Sequence, residues 1–143
     1  SPLESFEFIN DYLGHMEPCV ERANGFIDKY IGDAVMALFP GTADDGVRAA
    51  LAMFEALDRY NDTRAATDLA PVSIGIGLNT GRCILGTIGG PSRMDGTVIA
   101  DAVNLAARIE GMTNDTGPAS CWARPRSPAS ATTTACERSI SSR

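Results

Sequence analysis

Apolar residues recur at steps of three and four positions near the start of the chain, which predicts an amphipathic helix over residues 3–23. Its apolar stripe consists of Leu3, Phe6, Ile9, Leu13, Met16 and Val20. A second helix is predicted over residues 44–61, with Thr42 or Asp44 as its N-terminal cap. The predicted stripe of that helix consists of Val47, Ala50, Leu51, Phe54 and Leu57. Both stripes are expected to face a hydrophobic core.

Between the two helices the pattern changes to the alternation that is typical of β-strands. Two short strands joined by Gly32-Asp33 are predicted, because Gly adopts a positive φ without steric cost and suits a tight hairpin turn. Alternation places Lys29 on one apolar face, together with Ile27, Ile31, Ala34, Met36 and Leu38. Asp33 then holds a carboxylate at the tip of the turn. A lysine whose stem covers apolar surface, beside an ordinary polar turn, would give the same pattern.

The second half of the chain combines strands with one helix. Strands are predicted over residues 72–79 and 82–88, followed by a loop at 89–92. Gly75 and Gly77 in the first of these strands indicate a close backbone approach or a bulge. The third helix is predicted to begin near residues 99–101 and to end at residue 111. Its spacing puts three polar residues on one face, either as a local surface network or as a functional group: Asp101, Asn104 and Arg108.

Composition excludes several classes of function. A net charge of −6 argues against a nucleic-acid-binding surface. No two of the four cysteines have metal-ligand spacing, so no zinc site is expected, and free thiols in a reducing cytosol are the simplest interpretation. No apolar run approaches the length of a membrane span. We therefore expect a cytoplasmic domain without direct membrane contact, and a membrane-anchored parent protein stays an open alternative.

Two segments carry longer motifs, and both resemble the class III adenylate and guanylate cyclases. Lys29–Phe39 (KYIGDAVMALF) resembles the central hairpin of that family, and Thr97–Arg108 (TVIADAVNLAAR) resembles its helix motif. The resemblance implies an α+β fold, a ferredoxin-like sandwich whose mostly antiparallel sheet has helices packed on it. Residues 1–112 are then predicted to be a partial catalytic domain. Residues 113–143 do not match, and their Ser-, Thr-, Ala-, Arg- and Pro-rich composition predicts an atypical, disordered tail.

The resemblance also implies a role for each of five residues. Lys29 would read the purine of ATP, and Thr97 would accept a hydrogen bond from the adenine amino group. Asn104 and Arg108 would orient the ribose and stabilise the pentavalent phosphorus. Asp33 would be the second of two metal aspartates that bind two divalent ions, Mg²⁺ or Mn²⁺. The implied activity is conversion of ATP to 3′,5′-cyclic AMP and pyrophosphate for intracellular signalling, by a head-to-tail homodimer with active sites at its interface.

The sequence departs from the family pattern at both ends. The first metal aspartate and its phosphate-binding loop would precede Leu3, and no lysine follows Lys29 to contact the triphosphate. We therefore expect this chain alone not to turn over ATP. Two alternatives follow: a guanylate cyclase, which Lys29 disfavours because that class usually has glutamate at this position, and a non-catalytic dimerisation or nucleotide-binding module.

Overall fold

The structure is a computed structural model that describes the backbone of residues 2–81, 84–90, 93–99, 101–113, 121–124 and 132–139, and the side chains of residues 7–81 and 104–112. The helices are α1 (Pro2–Arg22), α2 (Ala43–Ala65) and α3 (Asp101–Thr113). The strands are β1 (Phe26–Ile31), β2 (Ala34–Phe39), β3 (Ser73–Thr80), β4 (Ile84–Gly90), β5 (Arg93–Ile99), β6 (Cys121–Arg124) and β7 (Thr132–Ser139). None of the helices described is both long and apolar enough to cross a membrane.

The predicted α+β fold is confirmed. Five strands form one sheet in the order β1-β2-β7-β3-β6, in which every pair is antiparallel except β3 with β6. Strands β4 and β5 form a separate antiparallel hairpin, of which β5 is absent from the prediction. The three predicted helices and the hairpin of β1 and β2 appear at nearly the predicted bounds.

One face of the sheet carries the hydrophobic core, which α1 and α2 cover. Phe39 of β2 and Ile76 of β3 are fully buried there. The helices contribute buried side chains to the same cluster: Tyr12, Met16 and Val20 from α1, and Ala49, Met53, Leu57 and Tyr60 from α2. Burying one large apolar side chain contributes about 1.5–3 kcal/mol, so this cluster contributes strongly to the driving force for folding.

The buried stripe of α2 differs from the prediction. Val47 and Leu51 are 37% and 58% exposed, whereas Ala49, Met53 and Tyr60 are buried. The reason is that residues 49–54 are apolar without interruption, so periodicity alone does not define which side faces the core. Within this run Ala49, Ala50 and Met53 face the core, whereas Leu51 faces solvent.

The predicted N-terminal cap of α2 is confirmed at Thr42, the residue immediately before the helix. The backbone N–H of Thr42 donates a hydrogen bond of 2.7 Å to the side chain of Asp45, one turn into the helix. That bond is the main reason that the pKa of Asp45 lies below its ordinary value of 3.8. Asp45 is thus a capping residue of α2, and it explains one of the buried carboxylates in the chain.

Helix α3 packs on the opposite face of the sheet, against β3 and β7. Since Ile74, Ile76 and Leu78 point to the core, alternation puts Gly77 on the side of α3. A Cβ added at Gly77 would overlap the carbonyl oxygen of Ala106 and lie 2.6 Å from the backbone nitrogen of Glu110. The close backbone approach that the glycines of this strand predict is therefore confirmed at Gly77. We call this side the α3 face; it comprises Gly77 of β3 and, by alternation, Met36 and Leu38 of β2.

Strand β1 contains a β-bulge that the sequence pattern does not reveal. Ile27 pairs with Ala37, which belongs to the core cluster. Pairing then resumes at Lys29 with Met36, so Asp28 is an extra residue on β1. The prediction that Ile27 shares a face with Lys29 is therefore wrong, because the bulge reverses the alternation between them. The prediction that Lys29 lies on the face of Met36 is confirmed.

Segment 113–143 is not a tail without regular structure, because it contains β6 and β7. Strand β7 lies between β2 and β3 and pairs antiparallel with both. The prediction is wrong for these strands because it relied on apolar periodicity, whereas sheet pairing uses backbone groups that every residue carries. The β-branched run Thr132–Thr134 also favours a strand. The predicted domain boundary at residue 112 stays a prediction.

We expect Gly77→Ala to lower the free energy of unfolding by about 1–3 kcal/mol, the usual cost of forcing extra atoms into a packed contact. The added methyl group would meet backbone atoms of α3, which cannot rotate aside as the end of a flexible side chain can. Urea unfolding of the purified chain measures the change. Gly14→Ala in α1 is the matched control, because nothing lies within 4 Å of a Cβ there and Ala favours a helix. An equal loss of stability in both variants would contradict the account.

Candidate functional site

The hairpin of β1 and β2 positions the predicted metal residue. Gly32 adopts a φ of 63°, in the left-handed region, and Ile31 pairs with Ala34 across the two-residue turn. Asp33 follows Gly32 at the tip and is half-buried. The position of this carboxylate is therefore determined by the backbone of the turn, as the Gly-Asp dipeptide predicts.

The carboxylate of Asp33 fits a divalent ion as one ligand of several. Mg²⁺ in proteins is commonly held by one or two carboxylates, together with water and the phosphates of a substrate. Within residues 7–81 and 104–112, no group of three or more His, Cys, Asp or Glu side chains is arranged to hold a metal ion. The predicted absence of a zinc site stays a prediction.

Lys29 lies on the α3 face, opposite Met36 on the neighbouring strand. Its side chain is 36% exposed, so the ammonium reaches solvent while the stem covers apolar surface. Lys29 is the only lysine in the sequence. Any reaction or binding event that needs a lysine side chain therefore has a single candidate in this chain.

Asp28 is the residue near the predicted site that the sequence analysis missed. Its side chain is only 10% exposed, and its Oδ2 lies 3.3 Å from the Nζ of Lys29. Regular alternation puts adjacent side chains on opposite faces of a strand, so the two groups meet only because of the bulge. The one sequence signal for this contact is that an acidic residue precedes the single lysine in a predicted strand. The alternation of a regular strand argues against a contact between two adjacent side chains.

Helix α3 carries Asn104 and Arg108 four residues apart, so their side chains are neighbours on one face, and both are exposed. The side toward β3 is occupied instead by Ala106 and Glu110, which are 0% and 1% exposed. The contact at Gly77 thus orients α3 so that the amide and the guanidinium point away from the sheet. The side chain of Asp101 lies outside the described residues, so the predicted surface network of three residues stays a prediction.

Thr97 lies on β5, at a position opposite Gly86 of β4, and its side chain lies outside the described residues. Strand β5 contacts β1, the strand that carries Lys29. The structure therefore brings the strands of Thr97 and Lys29 together. Helix α3 follows β5 after one residue, so Asn104 and Arg108 are connected to the same region by a short segment of chain.

A cavity of about 380 Å³ lies elsewhere, between α1 and α2. His15, Cys19 and Arg59 are among its lining residues, and burial raises the pKa of the Cys19 thiol. The cavity is lined by helices that cover the core face of the sheet, whereas Lys29 lies on the α3 face. It is therefore separate from the predicted site, and its weakly ionised thiol is a poor nucleophile.

Comparisons with known proteins agree with the motifs of the hairpin and of α3. The family described as "Adenylate and Guanylate cyclase catalytic domain" matches residues 1–117. "Adenylate cyclase" of Anabaena cylindrica is 51% identical over 121 residues, which are 81% of this chain and 24% of that protein. The chain thus spans about a quarter of the length of this relative.

Solved structures of the same kind are similar in fold. The guanylyl cyclase Cya2 superposes with a TM-score of 0.68 at 34% identity, over 78% of this chain and 60% of that one. The adenylyl cyclase CyaB from P. aeruginosa superposes with a TM-score of 0.63 at 32% identity, over 75% and 59% of the two chains. These two neighbours are named for different purine nucleotides, so similarity of fold alone does not identify the base.

Proposed function

Because the chain belongs to the adenylate and guanylate cyclase catalytic domain family, we propose that it converts ATP to cyclic AMP and pyrophosphate as part of a dimer. The observation that carries the proposal is the arrangement of the α3 face. Lys29 of β1 lies on the side of the sheet that α3 covers, and Asn104 and Arg108 extend from α3 into solvent. These groups suit a nucleotide, which presents a base, a ribose and phosphates in sequence.

The proposed chemistry is attack of the ribose 3′-oxygen on the α-phosphorus, with pyrophosphate as the leaving group. Negative charge builds on the phosphate oxygens as the pentavalent transition state forms. The guanidinium of Arg108 offsets this charge with several N–H donors, and the amide of Asn104 holds the ribose so that its 3′-oxygen faces the phosphorus. Since Asn104 and Arg108 lie one helical turn apart, they can act on neighbouring atoms of a single substrate.

Lys29 and Thr97 supply the proposed preference for adenine. Adenine N1 accepts a hydrogen bond, which the ammonium of Lys29 can donate, and the hydroxyl of Thr97 can accept one from the amino group. Guanine carries a hydrogen at N1, so the same ammonium would face a donor rather than an acceptor. The similarity to an adenylate cyclase of Anabaena cylindrica supports ATP as the substrate.

Asp33 is the proposed metal ligand of this chain. Two divalent ions, when bound, would polarise the phosphates and offset the charge that develops on them. Within the described residues, Asp33 offers one carboxylate and belongs to no group of three metal-binding side chains. We therefore propose that the productive site combines Lys29, Asn104 and Arg108 of one chain with metal aspartates of the other, in a head-to-tail dimer.

One other function has an observation in its favour. A module that dimerises or binds nucleotide without turnover fits the same residues, because Lys29, Asn104 and Arg108 can contact a nucleotide without a metal ligand. A guanylate cyclase is the remaining alternative, with the fold similarity to Cya2 in its favour and the donor at Lys29 against it.

We expect this chain to rescue a disabled relative. Mix it with the Anabaena cylindrica adenylate cyclase in which the residue aligned with Asn104 is replaced by Ala. Each component alone should form no cyclic AMP, whereas the mixture should form it, because one interface site then has intact groups from both chains. Asn104→Ala or Arg108→Ala in this chain should lower the rescued rate by about 10²–10³-fold, the usual loss for a transition-state donor.

The same mixture tests which chain supplies the metal aspartates of the productive site. Asp33→Asn should leave rescue intact, because the productive site takes its metal aspartates from the relative. Cross-linking and size-exclusion chromatography report whether the mixed dimer forms. A confirmed mixed dimer that makes no cyclic AMP would contradict the proposed half-site and favour the non-catalytic module.

Lys29→Glu should invert part of the purine preference in the rescued dimer. The substitution replaces a donor by an acceptor, and an unpaired polar group in a binding site costs about 1–3 kcal/mol, or roughly 5–150-fold in kcat/KM. The expected result is a lower rate with ATP and a higher rate with GTP relative to ATP, measured as both cyclic products. The matched control Arg59→Glu reverses a charge at an exposed position of α2 and should leave the ratio of GTP rate to ATP rate unchanged. An unchanged ratio in the Lys29 variant would remove this residue from the purine site.

A further inference from the structure

The ion pair between Asp28 and Lys29 is unusual for two adjacent residues of a strand. Asp28 is nine-tenths buried, and its Oδ2 has no hydrogen-bond partner within the described residues. A buried carboxylate is costly unless an opposite charge or hydrogen bonds compensate it. The ammonium of Lys29, 3.3 Å away, is the compensating charge that the structure provides.

The bulge of β1 is what makes this pair possible. Pairing between β1 and β2 is regular on both sides of Asp28, at Ile27 and from Lys29 onward. The bulge changes the direction of the Asp28 side chain, so that its carboxylate reaches the ammonium of the adjacent Lys29. Without the bulge the two side chains would project from opposite faces of the strand.

We propose that Asp28 is a positioning residue, which fixes the ammonium of Lys29 for recognition of the purine and thereby sets the preference for adenine over guanine. The inference rests on the proposed function, in which Lys29 donates to adenine N1. An ammonium has three N–H donors, so the ion pair with Asp28 leaves donors available for the base. A lysine free of this restraint has many rotamers and can also reach the O6 acceptor of guanine, so discrimination requires that the ammonium be held.

The restraint on Lys29 can be measured without turnover, because the chain has a single lysine. Acetylation of the intact chain, followed by peptide mass spectrometry, separates Lys29 from the N-terminal amine. Asp28→Asn should raise the acetylation rate of Lys29 by about threefold, the scale of a partly exposed ion pair. Asp28→Glu keeps the charge and should restore much of the slow rate. The matched control is Asp58→Asn, which removes a carboxylate at an exposed position of α2. Equal rates in the Asn variant and the unmodified chain would overturn the proposal.

The consequence for recognition is measured in the mixed dimer with the disabled Anabaena cylindrica cyclase. Asp28→Asn should lower the ATP-over-GTP ratio of kcat/KM by about tenfold, the size expected when a hydrogen bond from a charged group is partly lost. The change should appear as a higher KM for ATP with kcat nearly unchanged, since the purine is remote from the reacting phosphorus. A variant that merely folded less well would lower the apparent kcat and leave KM as it was. Asp28→Glu should recover part of the ratio.

Failure of the inference and failure of the proposed function give different results. If Lys29→Glu changes the purine ratio and Asp28→Asn does not, Asp28 is a structural partner only and the inference is wrong. If neither variant changes the ratio, Lys29 does not read the purine, and the proposed function of Lys29 falls together with the inference. A drop in the ratio for both variants, with recovery in Asp28→Glu, supports both.

Discussion

The contact between α3 and β3 at Gly77 is the constraint on which the arrangement of functional groups depends. Strand β3 serves both faces of the sheet: Ile74, Ile76 and Leu78 enter the core beneath α1 and α2, and Gly77 leaves room for the backbone of α3. Because the helix lies directly on the strand, its buried side is determined by Ala106 and Glu110. Asn104 and Arg108 then face solvent by the geometry of the helix.

In the proposed function, the two faces of the sheet divide stability from chemistry. The core face buries large apolar side chains. Asp45 has a structural role, because its carboxylate caps α2, one of the two helices that cover this face. The α3 face carries Lys29, and the bulge beside it tolerates a buried carboxylate at Asp28. A strand irregularity and a buried charge both cost free energy, and proteins commonly keep such features where function requires them. On the core face, the strand residues of the buried cluster are apolar: Val35, Ala37, Phe39, Ile74, Ile76 and Leu78.

Local sequence signals predicted the features that short-range sterics determine. The Gly32-Asp33 turn, the close approach at Gly77 and the shared face of Asn104 and Arg108 each follow from two to five neighbouring residues. Features that depend on distant partners were not predictable in this way. Nothing in the alternation of β1 marks Asp28 as an extra residue, and the uninterrupted apolar run of α2 does not specify its buried side. Strand β7 follows β2 by about a hundred residues and β3 by about sixty residues in the sequence. The backbone hydrogen bonds that pair it with both strands produce no periodic pattern of side chains.

The central claim is that the α3 face holds the purine of a nucleotide at Lys29. Incorporation of ¹³C,¹⁵N-lysine gives the single lysine a side-chain NMR signal that can be followed in the mixed dimer, with only this chain labelled, and leaves all three N–H donors in place. Titration with a non-reactive ATP analogue should move this signal in a saturable way, because the adenine ring would lie against the labelled ammonium. Inorganic tripolyphosphate, which lacks a base, should leave it in place. A Lys29 signal that stays unchanged while the analogue demonstrably binds the dimer would contradict the account.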